Sequence, residues 1–363
     1  MNAVIDPREI LSQPLTQASA LPAWFYIDPE AMALEKRAVF SRGWQLLSRV
    51  ALLDGRGDHV VSELADVPLL LVRGDDGGLR ALHNVCRHRA GPLATCDGRG
   101  ARHLRCQYHG WCYDLKGQLL TATEMGAAEG FDAGGIRLPE ARAVEWHGLV
   151  FACLDPDAPP FEDVVAAIEP RLAGKGIDAY KLHRHVAYDI NCNWKAYIDN
   201  YLEGYHVPHI HPELNRMLDY RDYTVETARW TSLQHSPLDS GEVLYGAGEA
   251  LYWYLWPNTM LNVMPGRMQT NRVLPLGPQR CRVEFDYYYP RDADPLALEE
   301  RHRHDHEFSD LVQHQDVEMC ERVQRGLASG SYHAGRLNPQ RENGVHHFHE
   351  LLREAYRQGD QRA

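Results

Sequence analysis

The chain has 363 residues, of which 24% are charged, and 50 acidic against 38 basic side chains give a formal net charge of −12. That excess of acid works against nucleic acid or an anionic membrane as partner. No apolar run approaches the ~18–20 residues that a membrane span needs, and the start, Met-Asn-Ala-Val-Ile-Asp-Pro-Arg, lacks a basic stretch followed by an apolar core. A cytoplasmic protein without a secretory signal is therefore expected.

In chain order, Asp28-Pro29-Glu30 followed by Ala31 to Phe40 reads as a capped helix, with Pro29 early where its missing N–H does no harm. From Trp44 to about Asp155 short β-type runs alternate with turns, among them Val67-Pro-Leu-Leu-Leu-Val and Gly148-Leu-Val-Phe-Ala-Cys-Leu. This predicts a small all-β module. Asp155-Pro-Asp-Ala-Pro-Pro160 is the clearest boundary. Beyond it, long β-runs such as Leu251–Trp256 and Cys281–Tyr289 mix with helices, so the fold class is α+β. No Gly-rich turn qualifies as a dinucleotide or phosphate-binding fingerprint, which predicts neither a flavin nor a nicotinamide site.

Two mixed pairs, Cys86-Arg-His88 and Cys106-Gln-Tyr-His109 with 17 residues between them, are the most informative feature. A Rieske [2Fe–2S] cluster hangs one iron on two thiolates and the other on two imidazoles, so each of two loops must offer one Cys and one His. Gly91-Pro92 and Gly110-Trp111 follow as turn signals. Zinc also accepts two Cys and two His, but its structural sites usually pair Cys with Cys and His with His. The other six cysteines have no disulfide-framework spacing and read as reduced, mostly buried thiols.

A second concentration runs from Asn193 to Pro212 and includes Asp199, Asn200, Glu203, His206, His209 and His211. On a continuous helix Asp199, Glu203 and His206 share one face. Pro208 is expected to end that helix, so His211 comes from the following turn and is favoured over His209 as a ligand. In a predicted helix from about Asp305 to Leu327, Phe308, Val312, Cys320, Val323 and Leu327 form an apolar stripe, and Asp316 lies on it. A carboxylate facing a core needs a partner. A buried Arg or a metal would supply one. His206, His211 and Asp316 together make the two-His, one-carboxylate facial triad of non-haem Fe(II) oxygenases. His302, His304 and His306 read as a solvated helix start, and the His-rich stretch Arg341–His349 as structural.

Cys86-Arg-His88-Arg89, Cys106-Gln-Tyr-His109-Gly110-Trp111, Asn193-Trp194-Lys195, Asp199-Asn200, Glu203-x-Tyr205-His206-x₄-His211 and Asp316-x₄-Glu321 resemble the ring-hydroxylating, Rieske non-haem iron oxygenase α-subunits, from Trp44 to about His349. The resemblance implies an N-terminal all-β Rieske domain at 44–155, a helix-grip α+β catalytic domain at 160–363, and a segment 1–43 packed on the latter. It implies a [2Fe–2S] cluster, a mononuclear Fe(II), O₂ and a small organic substrate, a separate NAD(P)H-dependent reductase or ferredoxin, and a homo-oligomer, commonly a trimer. Glu203 takes the position of a carboxylate that bridges neighbouring subunits, with Asp199 and Asn200 beside it. Glu rather than Asp there resembles the carnitine, choline and betaine branch, which hydroxylates or N-demethylates quaternary amines. Tyr252, Tyr254 and Trp256 on one strand face could hold an ammonium group, stack on an arene, or be core. An aromatic-acid oxygenase and a Rieske electron carrier are the alternative readings.

Overall fold

A computed structural model describes residues 6, 8–218, 222–238, 245–290 and 295–360. Met1–Ile5 and Pro7, part of the stretch read for a signal, lie outside the described residues. Two compact units emerge, one of residues 40–161 and one joining 1–39 to 162–363. Among the described residues no helix is long and apolar enough to cross a membrane.

The unit 40–161 is built of strands β1 (Gln45–Arg49), β2 (His59–Leu64), β3 (Val67–Arg73), β4 (Leu79–His83), β5 (Leu104–Arg105), β6 (Cys112–Tyr113), β7 (Leu119–Thr121), β8 (Glu140–Trp146) and β9 (Leu149–Cys153). Six of them form an antiparallel sheet in the order β1-β9-β8-β4-β3-β2, and β5-β6-β7 form a second small sheet. The continuous apolar run of β3 has a simple cause. Leu69 and Leu71 pack with Val60, Leu64 and Val150 on one face, whereas Leu70 and Val72 pack with Leu104, Trp111 and Tyr113 on the other. A strand covered on both faces loses its polar alternation. The second of these cores also contains Cys86 and Cys106.

In the other unit, α1 (Pro29–Glu35) starts at Asp28, whose side chain accepts from the Glu30 N–H at 2.7 Å, as the capping pattern predicts. Short helices α2 (Phe161–Val165) and α3 (Glu169–Leu172) follow the boundary. Then come β10 (Lys181–Ile190), α4 (Trp194–Tyr201), α5 (Val207–Ile210) and α6 (Pro212–Met217). A meander of β11 (Thr224–Thr227), β12 (Thr231–Leu238), β13 (Gly248–Leu255), β14 (Thr259–Met264), β15 (Arg267–Gly277) and β16 (Arg280–Tyr289) leads to the long helices α7 (Pro295–Ala328) and α8 (Asn343–Asp360). The seven strands form one antiparallel sheet, β10-β16-β15-β14-β13-β12-β11. Helix α4 packs against β15, β16 and α7, which brings α7 to the concave side where the site lies.

One buried polar knot locks three helices. Glu35 of α1 accepts from Lys195 Nζ at 2.6 Å and Trp194 Nε1 at 2.6 Å on α4, and from Tyr356 Oη of α8 at 2.7 Å. Both members of the Lys195–Glu35 pair are fully buried. With every carboxylate contact satisfied, the pair fixes the register of α4, the helix that carries the site residues.

Two expectations need correction. Helix α7 begins ten residues before Asp305, so His302 lies inside it and is buried, with its ring stacked on Tyr289 at 3.7 Å. His306 also turns to the sheet, 5.3 Å from the Tyr287 ring. The three histidines are thus not a solvated helix start; only His304 is exposed on that side. The inward face of α7 is largely polar: His302, Asp305, Gln313, Gln324 and, part-buried, Asp316, with Cys320 and Leu327. Val323, expected on an apolar stripe, is 46% exposed, and Gln324 takes the buried place, bonding the Asn193 N–H and the Tyr26 carbonyl. All eight cysteines are free thiols, and only Cys96 is exposed.

Candidate metal centres

The two Cys-His loops share one backbone design. In the first, the Cys86 N–H donates to the Gly91 carbonyl and the Ala90 N–H returns to the Cys86 carbonyl. In the second, the Cys106 N–H donates to the Trp111 carbonyl and the Gly110 N–H returns to the Cys106 carbonyl. The fourth residue after each Cys is left-handed, Ala90 at φ 57° and Gly110 at φ 77°. This curls each loop so that its N–H groups point inward, a nest that suits negative charge.

Cys86 and Cys106 are 3% and 2% exposed and lie beside one another. Burial pushes the Cys106 thiol pKa up, while the Tyr108 and His109 N–H groups pull it down by donating to the sulfur. Those donors become more favourable once a bound cation draws off the thiol proton. The His88 and His109 rings meet edge to face at 4.6 Å, and Trp111 stacks on His88 at 4.8 Å. Nδ1 of His88 is buried with no hydrogen-bond partner. A Cβ at Gly91 would fall 2.9 Å from the Cys106 sulfur, so the space in front of the thiols is kept clear by glycine. A buried, orphaned imidazole nitrogen, a second imidazole beside it and two adjacent thiols in a glycine-cleared cradle fit a [2Fe–2S] cluster with one thiolate and one imidazole from each loop.

The second constellation is assembled from distant chain segments. His211 Nε2 lies 2.9 Å and His206 Nε2 3.9 Å from Asp316 Oδ1. The ligand atoms of His206, His211 and Asp316 all fall within 4.8 Å of one another, and among the described residues no other such group of three occurs. Each is held from outside. His206 Nδ1 bonds Glu203 Oε1 at 2.6 Å, His211 Nδ1 bonds Gln315 Oε1 at 2.6 Å, and Asn200 Nδ2 donates to Asp316 Oδ1 at 2.8 Å. Metal-ligating imidazoles are oriented in this way by acceptors on their second nitrogen. Burial opposes protonation of His211, but Asp316 outweighs it, so its pKa lies above the ordinary imidazole value. The donor set, two imidazoles and one carboxylate, suits Fe(II) with positions left open.

The local path to these ligands differs from a single continuous helix. Helix α4 ends at Tyr201, and Pro208 does not end a helix but sits in the first turn of α5, where it needs no N–H partner. Within the break the Glu203 carboxylate accepts from the Tyr205 and His206 N–H groups, just ahead of α5. His206 is the cap residue of α5, and His211 stands between α5 and α6. His209 is exposed, 6.5 Å from the Tyr205 ring. Asp199 points away from the three ligands and is bonded by Tyr26 Oη at 2.6 Å and His349 Nε2 at 2.9 Å.

A cavity of about 140 Å³ opens from His206, His211 and Asp316 between the helices and the sheet. Asn200 and Glu203 line it, and so do Tyr197, Tyr201, Tyr252, Phe285, Phe308 and Arg267; Asp199 does not. Of the aromatic row on β13 only Tyr252 reaches it. Tyr254 is wholly buried, donating to the Pro257 carbonyl and packing on Phe348. Sequence reasoning missed Gln315, Arg267, Gln313 and the Tyr26–His349 pair. Only Gln315, adjacent to Asp316, had any positional signal.

Residues 43–132 match the Rieske [2Fe-2S] domain family, and residues 177–358 match the family described as ring hydroxylating alpha subunit (catalytic domain). The chain is 37% identical to a chloroplastic choline monooxygenase of Arabidopsis thaliana over 93% of its own length and 83% of that protein's. It is 31% identical to the carnitine monooxygenase oxygenase subunit of Escherichia coli (strain K12), over 94% and 95% of the two chains. The solved structure of the quaternary ammonium Rieske monooxygenase CntA with L-carnitine superposes with a TM-score of 0.83 at 25% identity, covering 95% of this chain and 99% of that one. The chain belongs to the ring-hydroxylating α-subunits of the Rieske oxygenases, monooxygenase-type oxidoreductases with a [2Fe–2S] cluster and a mononuclear non-haem iron.

Proposed function

We propose that this protein is the oxygenase component of a quaternary-amine monooxygenase. The observation that carries the reading is full-length similarity to choline and carnitine monooxygenases, joined to an aromatic-rich cavity that opens on the two-His, one-carboxylate trio. When bound, the two metal groups supply electron storage and O₂ activation. In this reading Cys86, His88, Cys106 and His109 hold the cluster, and His206, His211 and Asp316 hold the iron. Asn200 fixes the Asp316 carboxylate, and Glu203 orients His206. The Tyr201 and Tyr252 rings offer π faces to an ammonium group.

Glu203 is also the relay toward a neighbouring subunit's cluster. Its carboxylate already spans from a ligand imidazole to the backbone of the α4–α5 break, where a further imidazole could be met. That role needs a homo-oligomer, read here as the trimer that the family resemblance implies, and a separate reductase is read from the lack of a nucleotide-binding fingerprint in the chain. A cytoplasmic location suits such a chain.

The reaction is hydroxylation of a carbon next to the quaternary nitrogen. One oxygen atom of O₂ enters the C–H bond, the other leaves as water, and NAD(P)H with one proton provides the two electrons. When an N-methyl group is hydroxylated, the C–N bond breaks, giving formaldehyde and the protonated tertiary amine. The test is substrate-dependent NADH and O₂ consumption by the holoenzyme with a reductase, read with trimethylammonium compounds and with benzoates. Aldehyde formation from trimethylammonium compounds alone is expected. Coupled turnover with benzoates alone would overturn the reading in favour of an aromatic-acid oxygenase.

A further inference from the structure

We infer that the substrate is a zwitterion, a quaternary amine that also carries a carboxylate, and that Arg267 and Gln313 bind this carboxylate. The inference rests on the quaternary-amine reading above and adds the identity of the far pole.

Arg267 opens β15 on the cavity wall and is 4% exposed. One terminal nitrogen of its guanidinium lies 2.8 Å from Asp305 and donates to Tyr245, and the other donates to Gln269 and, at 3.1 Å, to Ser309. Its Nε is buried with no partner. Gln313, 5% exposed on the same cavity wall, accepts from Tyr197 Oη at 2.9 Å, and its Nε2 is likewise buried without a partner. Nearly every buried N–H in a folded protein finds an acceptor. Two residues of one cavity wall that each carry an orphaned donor form a place for an acceptor brought from outside.

Charge narrows the acceptor further. Arg267 lines the cavity, whereas Asp305 does not and is already bonded by Tyr245 and Tyr289. An anion meeting a guanidinium N–H makes a charge-assisted hydrogen bond, roughly twice as strong as a neutral one. A neutral hydroxyl gains less. Position supports a bipolar ligand too. Ser309, which touches Arg267, precedes Asp316 by seven residues on α7, about 10 Å along the helix axis. Gln313 lies one turn from Asp316. The acceptor pole thus reaches from one turn of α7 away from Asp316, at Gln313, to two turns away, beside Arg267, while the carbon next to the ammonium must sit at the Asp316 end. A betaine whose charges are separated by several carbons spans this gap better than glycine betaine.

The holoenzyme with its reductase should be assayed by substrate-coupled O₂ uptake, and the same protein by anaerobic equilibrium binding, with γ-butyrobetaine against its alcohol analogue and glycine betaine against choline. A kcat/KM at least tenfold higher for γ-butyrobetaine than for the alcohol is expected. Arg267→Lys keeps the charge beside Asp305 while removing the Nε donor, and Gln313→Glu keeps the Tyr197 bond while presenting a like charge. Both should bring the betaine-to-alcohol ratio, in binding and in kcat/KM, close to one. Equal or better use of the alcohols by the unaltered enzyme would overturn the inference and leave the quaternary-amine reading intact. A betaine preference unmoved by either substitution would overturn the assignment of these two residues. Failure of every quaternary amine to bind or turn over would overturn both.

Discussion

The two metal centres are built on opposite plans. In the unit 40–161 each half of the cluster site is a local loop, and the same pair of backbone hydrogen bonds recurs around Cys86 and Cys106. In the other unit His211 and Asp316 are 105 residues apart, and the three candidate ligands are braced by side chains, Glu203 from three residues before His206 and Gln315 and Asn200 from more than 100 residues away. Backbone hydrogen bonds make a site tolerant of its surroundings, because the chain itself supplies the curvature. Side-chain bracing makes a site adjustable and dependent on the packing of whole helices. The cluster site is therefore expected to answer to few substitutions, and the iron site to many.

The sharpest contrast comes from a sulfur ligand. Cys86→Ser is expected to abolish the cluster's visible and electron-paramagnetic signals and all NADH-driven turnover, since a hydroxyl cannot replace the thiolate. Iron at His206, His211 and Asp316 should persist in that variant. Next in size is the knot beneath α4. Lys195→Met leaves the Glu35 carboxylate buried without its cation, and loss of about 3–5 kcal/mol is expected in chemical denaturation. Mononuclear iron should fall with it while the cluster signal is kept. If the cluster were lost as readily, the independence of the two plans would fail.

Glu203→Gln is a gentler probe. The amide keeps a hydrogen bond to His206 but not the charge, so turnover should fall about 10- to 100-fold, with the cluster still reduced at its normal rate. A variant with unchanged turnover would remove Glu203 from the relay. The smallest effect concerns His306, whose pKa is lowered to about 4 by burial and by the Arg184 charge, against the opposing pull of Asp305. A folded-state value below the ordinary 6.5 means that the unfolded chain binds the proton more readily. Stability is therefore flat above about pH 6.5 and falls as the pH drops toward 4, by no more than about 1.4 kcal/mol per pH unit. His306→Gln should flatten that limb in acid denaturation, and an unchanged limb would assign it to other groups.

The same contrast explains what was legible in the sequence. Cys86, His88, Cys106 and His109, the proposed cluster ligands, stand close together in the sequence because each pair belongs to one local loop. The β3 run and the Asp28 cap were legible for the same local reason. His206, His211 and Asp316 were found through residue type and resemblance, although the helical path drawn between Asp199 and His206 does not exist. Pro208 was read as a stop when it stands in the first turn of α5, where its missing N–H costs nothing. The stripe on α7 misled at Val323, since its buried face serves hydrogen bonds to β10, α4 and the cavity more than an apolar core. Arg267, Asp305 and Gln313 carry no periodic signal at all. They are brought together only when β15 and α7 pack.

The most direct test of this account is iron and acid-labile sulfide per chain, measured side by side for the unaltered protein and Asp316→Ala after anaerobic reconstitution with Fe(II). About three irons and two sulfides are expected for the first, and about two and two for the second, with the cluster signal unchanged. Three irons retained in Asp316→Ala, or zinc without sulfide in either protein, would contradict it.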